Sequence, residues 1–136
     1  MPFLEHGLEH GSVTWLLIAL GGAGGSVLRY GVGRMAVAYL GPATVMGTFT
    51  VNVTGSFALG LFMGLAMERT IMPVNLRSLL AIGFLGGYTT FSTFTFESLR
   101  LVEDGEFFRA VISVLGNVVL GLAVAYLGIL LGRAVS

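Results

Sequence analysis

The residues with the most chemical capacity in this sequence are neutral. Thr48, Asn52, Ser56, Gly60 and Gly64 stand four apart, a spacing that puts them on one face of a helix. Ser113, Asn117 and Gly121 repeat the pattern later in the chain. Each asparagine amide brings two donor hydrogens and an acceptor, more than a packing contact needs. Hydroxyls in such lines also serve as ordinary interhelical hydrogen bonds. The lines therefore admit two readings, adhesion between helices or two polar tracks facing one narrow path. The densest string is Gly83-Phe84-Leu85-Gly86-Gly87-Tyr88-Thr89-Thr90-Phe91-Ser92-Thr93-Phe94. Gly86-Gly87 followed by Tyr and two Thr makes a poor helix. It reads either as a continuous helix with a flexible glycine pair or as a break that frees main-chain carbonyls. Broken helices in transporters use such carbonyls to bind cations.

Enzyme chemistry finds little to work with. The chain has no Cys, which excludes disulfides and thiolate metal sites. His6 and His10 are four apart, with Glu5 and Glu9 as the only further ligands nearby; they read as tail residues. No nucleophile–His–acid set exists, because both histidines sit in that tail. Seven acidic residues balance seven basic ones, and without a basic excess nucleic acid is not an expected partner.

These candidate residues must be positioned by elements that live in lipid. The 136 residues are 55% hydrophobic and only 10% charged, against roughly 25% charged in an ordinary soluble domain. A soluble fold of this size buries only about two-thirds of its chain surface and could not hide so much apolar area. Residues 10–28, 35–67, 78–96 and 110–132 contain no Asp, Glu, Lys or Arg. A helix needs about 20 apolar residues to cross the hydrocarbon core, so each window holds one span. The helices are expected near 13–37, 43–67, 76–101 and 108–133, after a tail at 1–12, with a turn at Gly41-Pro42. A signal peptide is the other reading of the first window. It lacks a basic n-region, and its Gly-rich continuation through Arg29-Tyr30 argues for working protein.

Two features of these spans bear on function. Gly21/Gly25, Gly60/Gly64, Gly83/Gly87 and Gly128/Gly132 are small residues at four-residue spacing, the pattern that lets helix backbones approach closely in lipid. No span centre contains Asp, Glu or Lys; Glu97, toward the end of the third span, is the only candidate. Proton-coupled transporters use an intramembrane carboxylate. A path lined by Asn, Ser, Thr and phenylalanine ring edges suits a small anion instead, since ring edges carry partial positive charge.

Orientation normally follows the Lys/Arg bias between the two sides. All seven bases are Arg. Arg69, Arg77 and Arg133 fall on the side of the termini, Arg34, Arg100 and Arg109 on the other, and Arg29 lies in or near the end of the first span. With no bias the chain has no strong reason to insert one way. That points to dual topology, with two opposed copies pairing about an axis in the membrane plane; chance balance in a short sequence is the plain alternative.

At these residues the chain resembles the Fluc/CrcB family of small fluoride channels. The matching motifs are Gly21-Gly22-Ala23-Gly24-Gly25 running to Arg29-Tyr30, Gly47-Thr48-Phe49 with Val51-Asn52 and Gly55-Ser56, Gly83 to Phe94 with Glu97, and the closing Gly132-Arg133. The resemblance covers residues 13–133 in order and spacing, and the third-span string is its most specific part. It implies an all-α integral membrane protein of four transmembrane helices per subunit, with a broken third helix, forming a dual-topology antiparallel homodimer in the plasma membrane, the inner membrane of a bacterium. It implies two fluoride pathways along the subunit interface and a central structural sodium ion held by the Gly86 and Thr89 carbonyls. On the same analogy Phe91 and Phe94 are the pore phenylalanines, Asn52 gathers fluoride in the vestibule, and Thr48 lies one turn away. Ser92, Thr93, Glu97 and Arg29 take supporting roles. Ser113 and Asn117 stand where some members carry Tyr and then Ser, so donors survive with different lengths. The competing expectation is a dual-topology, proton-coupled exporter of small molecules. That class predicts an essential Glu in the middle of the first helix, which this sequence lacks.

Overall fold

The computed structural model describes residues 11–68 and 72–135. The tail pair His6 and His10, with Glu5, Glu9 and Arg69, lies outside the described residues. Among the described residues, four helices are long and apolar enough to cross a membrane. The first, α1, runs over Gly11–Leu40, about 45 Å at 1.5 Å per residue. The second, α2, is Met46–Glu68. The third span, Val74–Glu103, divides into α3 (residues 74–88) and α4, Phe91–Glu103. The fourth, α5, is Phe107–Ala134.

Local chemistry sets the ends. Pro73, with φ −56° and ψ 133°, precedes the first turn of α3; its missing N–H costs nothing at a helix start. Gly41 and Gly105 close the two tight connections at φ 92° and 78°, a left-handed conformation that glycine adopts without a Cβ clash. The turn expected at Gly41-Pro42 is thus a helix end, with the Gly41 N–H donating to Val37 O at 2.9 Å.

The helices associate in two glycine-seamed pairs. Along α1 and α3, a Cβ on Gly21 would fall on the Leu79 carbonyl, one on Gly25 on the Phe84 carbonyl, and one on Gly87 within 2.6 Å of the Gly22 carbonyl. Along α2 and α5, Gly60 faces Ala125, Gly64 faces Ile129, and Gly128 and Gly132 face the turns at Phe57–Leu61 and Leu61–Leu65. All four small-residue pairs named from sequence are close-approach sites. This packing is van der Waals contact between backbones, the force available to helices in lipid.

Two stretches carry wide, π-type turns: Ser78–Leu85 in α3 and Gly116–Leu120 in α5. Such turns shift side chains out of the regular helical register and recur at functional places. The third span pauses once more. Thr89 (φ −84°, ψ 157°) and Thr90 (φ −151°, ψ 117°) are extended. This differs from the expectation that placed the irregularity at Gly86-Gly87. Those glycines are helical, with Gly87 set closely against Gly22 of α1, and the extended backbone falls on the β-branched pair Thr89-Thr90.

Candidate functional site

Two extended residues inside a helical span leave main-chain groups that the regular ladder no longer satisfies. Most of the polar residues named from sequence are what answers them. The Thr90 N–H, which a continuous helix would give to the Gly86 carbonyl, donates instead to Asn52 Oδ1 at 2.8 Å. Asn52 Nδ2 donates to the Thr90 carbonyl at 3.1 Å and to Asn117 Oδ1 at 2.9 Å. Asn117 Nδ2 donates to the Ser113 carbonyl at 2.9 Å, and Ser113 is buried. The Leu85 carbonyl receives both the Thr89 N–H at 3.1 Å and the Thr89 hydroxyl at 3.0 Å.

Arg29 takes the next carbonyl. Its Nε donates to Gly87 O at 3.0 Å. The sequence places Arg29 in or near the end of the first span. In the structure it lies well inside α1, and its guanidinium meets the last turn of α3. A charged donor to an orphan carbonyl is among the stronger hydrogen bonds.

The first turn of α4 is capped by the same threonine. Thr90 Oγ1 accepts the Thr93 N–H at 3.3 Å and donates to Thr93 Oγ1 at 3.0 Å. Ser92 Oγ lies 3.4 Å from Thr90 Oγ1. A threonine at this position satisfies one of the four free N–H groups at a helix start. The cap fixes the direction of α4 and with it the two aromatic side chains of its first turns. Phe91 and Phe94 meet edge to face, with ring centroids 5.6 Å apart and planes at 63°. Phe94 is buried at 7% exposure while Phe91 is open at 77%, so the pair spans from the packed interior to the surface of the chain.

One turn further, Thr48 Oγ1 donates to Glu97 Oε1 at 2.8 Å. This contact ties α2 to α4 on the line that carries Asn52. Thr48, Thr90, Thr93 and Glu97 share a cavity of about 230 Å³ with Arg29 and Arg34. Two guanidinium groups and one carboxylate at its wall make the cavity positive on balance, which raises the local concentration of a small anion.

Asn52, Asn117, Thr48, Glu97, Thr93 and Arg29 thus come together around Thr90 and the last turn of α3. Ser113 contributes its carbonyl. Gly86 is exposed on the surface of the chain and Thr89 half-buried. Thr90 and Arg34 were not singled out from sequence. Thr90 carries the centre of the network, and the available signal was the Thr-Thr pair, whose β-branched side chains favour extended backbone. In the sequence Arg34 counts only toward the charge balance.

Comparison with known proteins bears on the same stretch of chain. The family model described as CrcB-like protein, Camphor Resistance (CrcB), matches residues 16–129. A protein named fluoride-specific ion channel FluC from Geobacter metallireducens is 47% identical over 121 residues, covering 89% of this chain and 98% of that protein. The FluC of Coxiella burnetii strain Dugway is 47% identical over 119 residues, with 87% and 96% covered. The FluC of Solibacter usitatus is 46% identical over 121 residues, with 89% and 99% covered. The match takes in α2, both helices of the third span and the whole Asn52–Thr90–Asn117 network, so the chain belongs to the CrcB family.

Proposed function

We propose that this protein is a fluoride channel giving passive export of fluoride. The observation that carries the reading is the Thr90 centre: a stretch of extended main chain, held by neutral amides, beside an edge-to-face phenylalanine pair. The relatives named fluoride-specific ion channels support it. The protein is a multi-pass membrane protein and not an enzyme.

The physical problem is to strip water from a small, strongly hydrated anion without trapping it. Conduction needs binding good enough to enter and weak enough to leave. A fixed positive charge at the middle of the path would hold fluoride too long; a carboxylate there would repel it. Arg29 and Arg34 at the cavity wall draw the anion in. Beyond them, neutral donors replace its water in steps. One Asn52 hydrogen goes to Thr90 and the other to Asn117, so the amide is fixed beside the path. Phe91 and Phe94 present ring edges, whose partial positive charge favours an anion without the strength of an ion pair. Thr48 and Ser113 continue the polar line, and Asn117 stands behind Asn52. Neutral HF crosses lipid and ionises inside, and the channel lets the anion leave down its gradient.

The third span then acts as a broken helix in an antiparallel dual-topology homodimer with two pathways. The flat Arg count supports opposed copies. Gly86 is exposed, and Tyr88 and Thr54 share a 3.0 Å hydroxyl contact on an exposed surface. Polar groups exposed at membrane depth call for protein or water against them. The Gly86 and Thr89 carbonyls are a fitting donor set for sodium. They are hard neutral oxygens; Gly86 has given up the Thr90 N–H, and Thr89 is turned out of the helical direction. A bound sodium would tie together the extended segments of the two copies. Exchanging sodium for a bulky organic cation during purification should lower the thermal midpoint of the protein; an unchanged midpoint would remove the ion from this account.

Purified protein in liposomes loaded with fluoride and chloride should release fluoride, read by a fluoride-selective electrode, and retain chloride. Equal flux of the two anions would sink the channel reading.

A further inference from the structure

In an extended residue the N–H and the C=O point to the same side, so one partner can bond both, as paired strands do. Thr90 is such a residue, and its partner is a single side chain. Asn52 Oδ1 accepts the Thr90 N–H at 2.8 Å while Asn52 Nδ2 donates to the Thr90 carbonyl at 3.1 Å. One amide stands in for a neighbouring strand. It can do so in one orientation only, since a flipped amide would set donor against donor and acceptor against acceptor.

The second Asn52 hydrogen leads away from Thr90. It goes to Asn117 Oδ1 at 2.9 Å. Asn117 is held in turn by its own helix, with Nδ2 donating to the Ser113 carbonyl one turn earlier at 2.9 Å. With its nitrogen tied to α5, Asn117 presents oxygen to α2. Its place in the wide turn Gly116–Leu120 takes it out of regular helical register. A continuous relay therefore runs from the main chain of α5, through two amides, to the main chain of Thr90.

We infer that Asn117 is a positioning residue: it holds the Asn52 amide on both main-chain groups of Thr90 and so couples the fourth span to the extended pair. Its effect on a permeating anion is exerted through Asn52. The consequence for flux rests on the channel reading above; the consequence for Thr90 does not.

The test is a double-mutant cycle on the full chain in liposomes, using Asn52→Leu, Asn117→Leu and both together. Leucine is close to asparagine in size and lacks the amide. Asn117→Leu should slow fluoride efflux about threefold, the worth of one interhelical hydrogen bond in lipid. The double variant should be no slower than Asn52→Leu alone. A double variant slowed by the product of the two single losses would overturn the inference. Asn117→Ala repeats the cycle should leucine not be accommodated. A second readout needs no flux. The Thr90 amide should exchange its hydrogen faster in Asn117→Leu, resolved by NMR in micelles, while Val51 and Ala81 amides stay protected. Unchanged Thr90 exchange overturns the inference. A wild type that conducts no fluoride removes the channel reading and leaves Thr90 exchange to decide the role of Asn117.

Discussion

Phe94→Ile and Phe91→Ile should each cut fluoride efflux severalfold, to as little as about a tenth of wild type, with the protein still folded and assembled. An aromatic edge contact is worth about 0.5–1.5 kcal/mol, and each 1.4 kcal/mol is a factor of about ten in rate. Isoleucine keeps an apolar side chain in place and removes the ring edge. The two positions differ in what else they do. Phe94 is buried at 7% exposure, and its loss also opens space in the interior. Phe91 at 77% exposure packs little within the chain, so Phe91→Ile leaves the stability of the single chain close to unchanged. Phe91→Ile is thus the cleaner experiment: lost flux together with a wild-type thermal midpoint assigns the loss to the path itself. The electrode assay that reads wild-type efflux measures both variants. Wild-type rates in both would remove the phenylalanines from the pathway.

The spans were legible because charge is expensive in hydrocarbon. Four windows without Asp, Glu, Lys or Arg mark four helices, and the described residues hold four long enough to span a membrane. The glycine pairs were legible as close-approach sites from their four-residue spacing. Which helix each would meet was not. That Gly21 and Gly25 face α3, while Gly60 and Gly64 face α5, depends on how the four helices are arranged, and a small-residue line is silent about its partner. The extended pair was displaced by three residues for a related reason. Propensity marks Gly86-Gly87 as the weak point of the helix, yet both glycines are helical, Gly87 packed on Gly22 of α1 and Gly86 exposed. The extended backbone falls where a side chain 38 residues away can bond it, at Thr90. Asn52 and Asn117, 65 residues apart, were both named as polar residues of one path. Their hydrogen bond to each other, and the fact that they answer a main-chain gap, came only with the fold.

Gly21→Ala and Gly22→Ala should behave in opposite ways, although the residues are neighbours in a run of glycines. A Cβ at Gly21 would fall on the Leu79 carbonyl oxygen and lie 2.8 Å from the Phe84 nitrogen, both main-chain atoms that cannot turn aside. Overpacking of this kind costs about 1–3 kcal/mol. At Gly22 the nearest atom is the Gly83 carbonyl at 3.8 Å, an ordinary contact. There alanine loses less backbone entropy on folding than glycine and should stabilise the helix by about 0.5–1 kcal/mol. Unfolding in mixed micelles, followed by the fluorescence of the lone Trp15, compares the two. Equal losses would mean that the seam between α1 and α3 does not run along Gly21. The consequence reaches the proposed ion path. Spreading α1 from α3 withdraws Arg29 from the Gly87 carbonyl, a 3.0 Å contact, and moves the turn that delivers Thr89 and Thr90. Gly21→Ala should therefore lose fluoride efflux together with stability, whereas Gly22→Ala keeps both. Close helix packing and anion conduction then depend on the same missing methyl group.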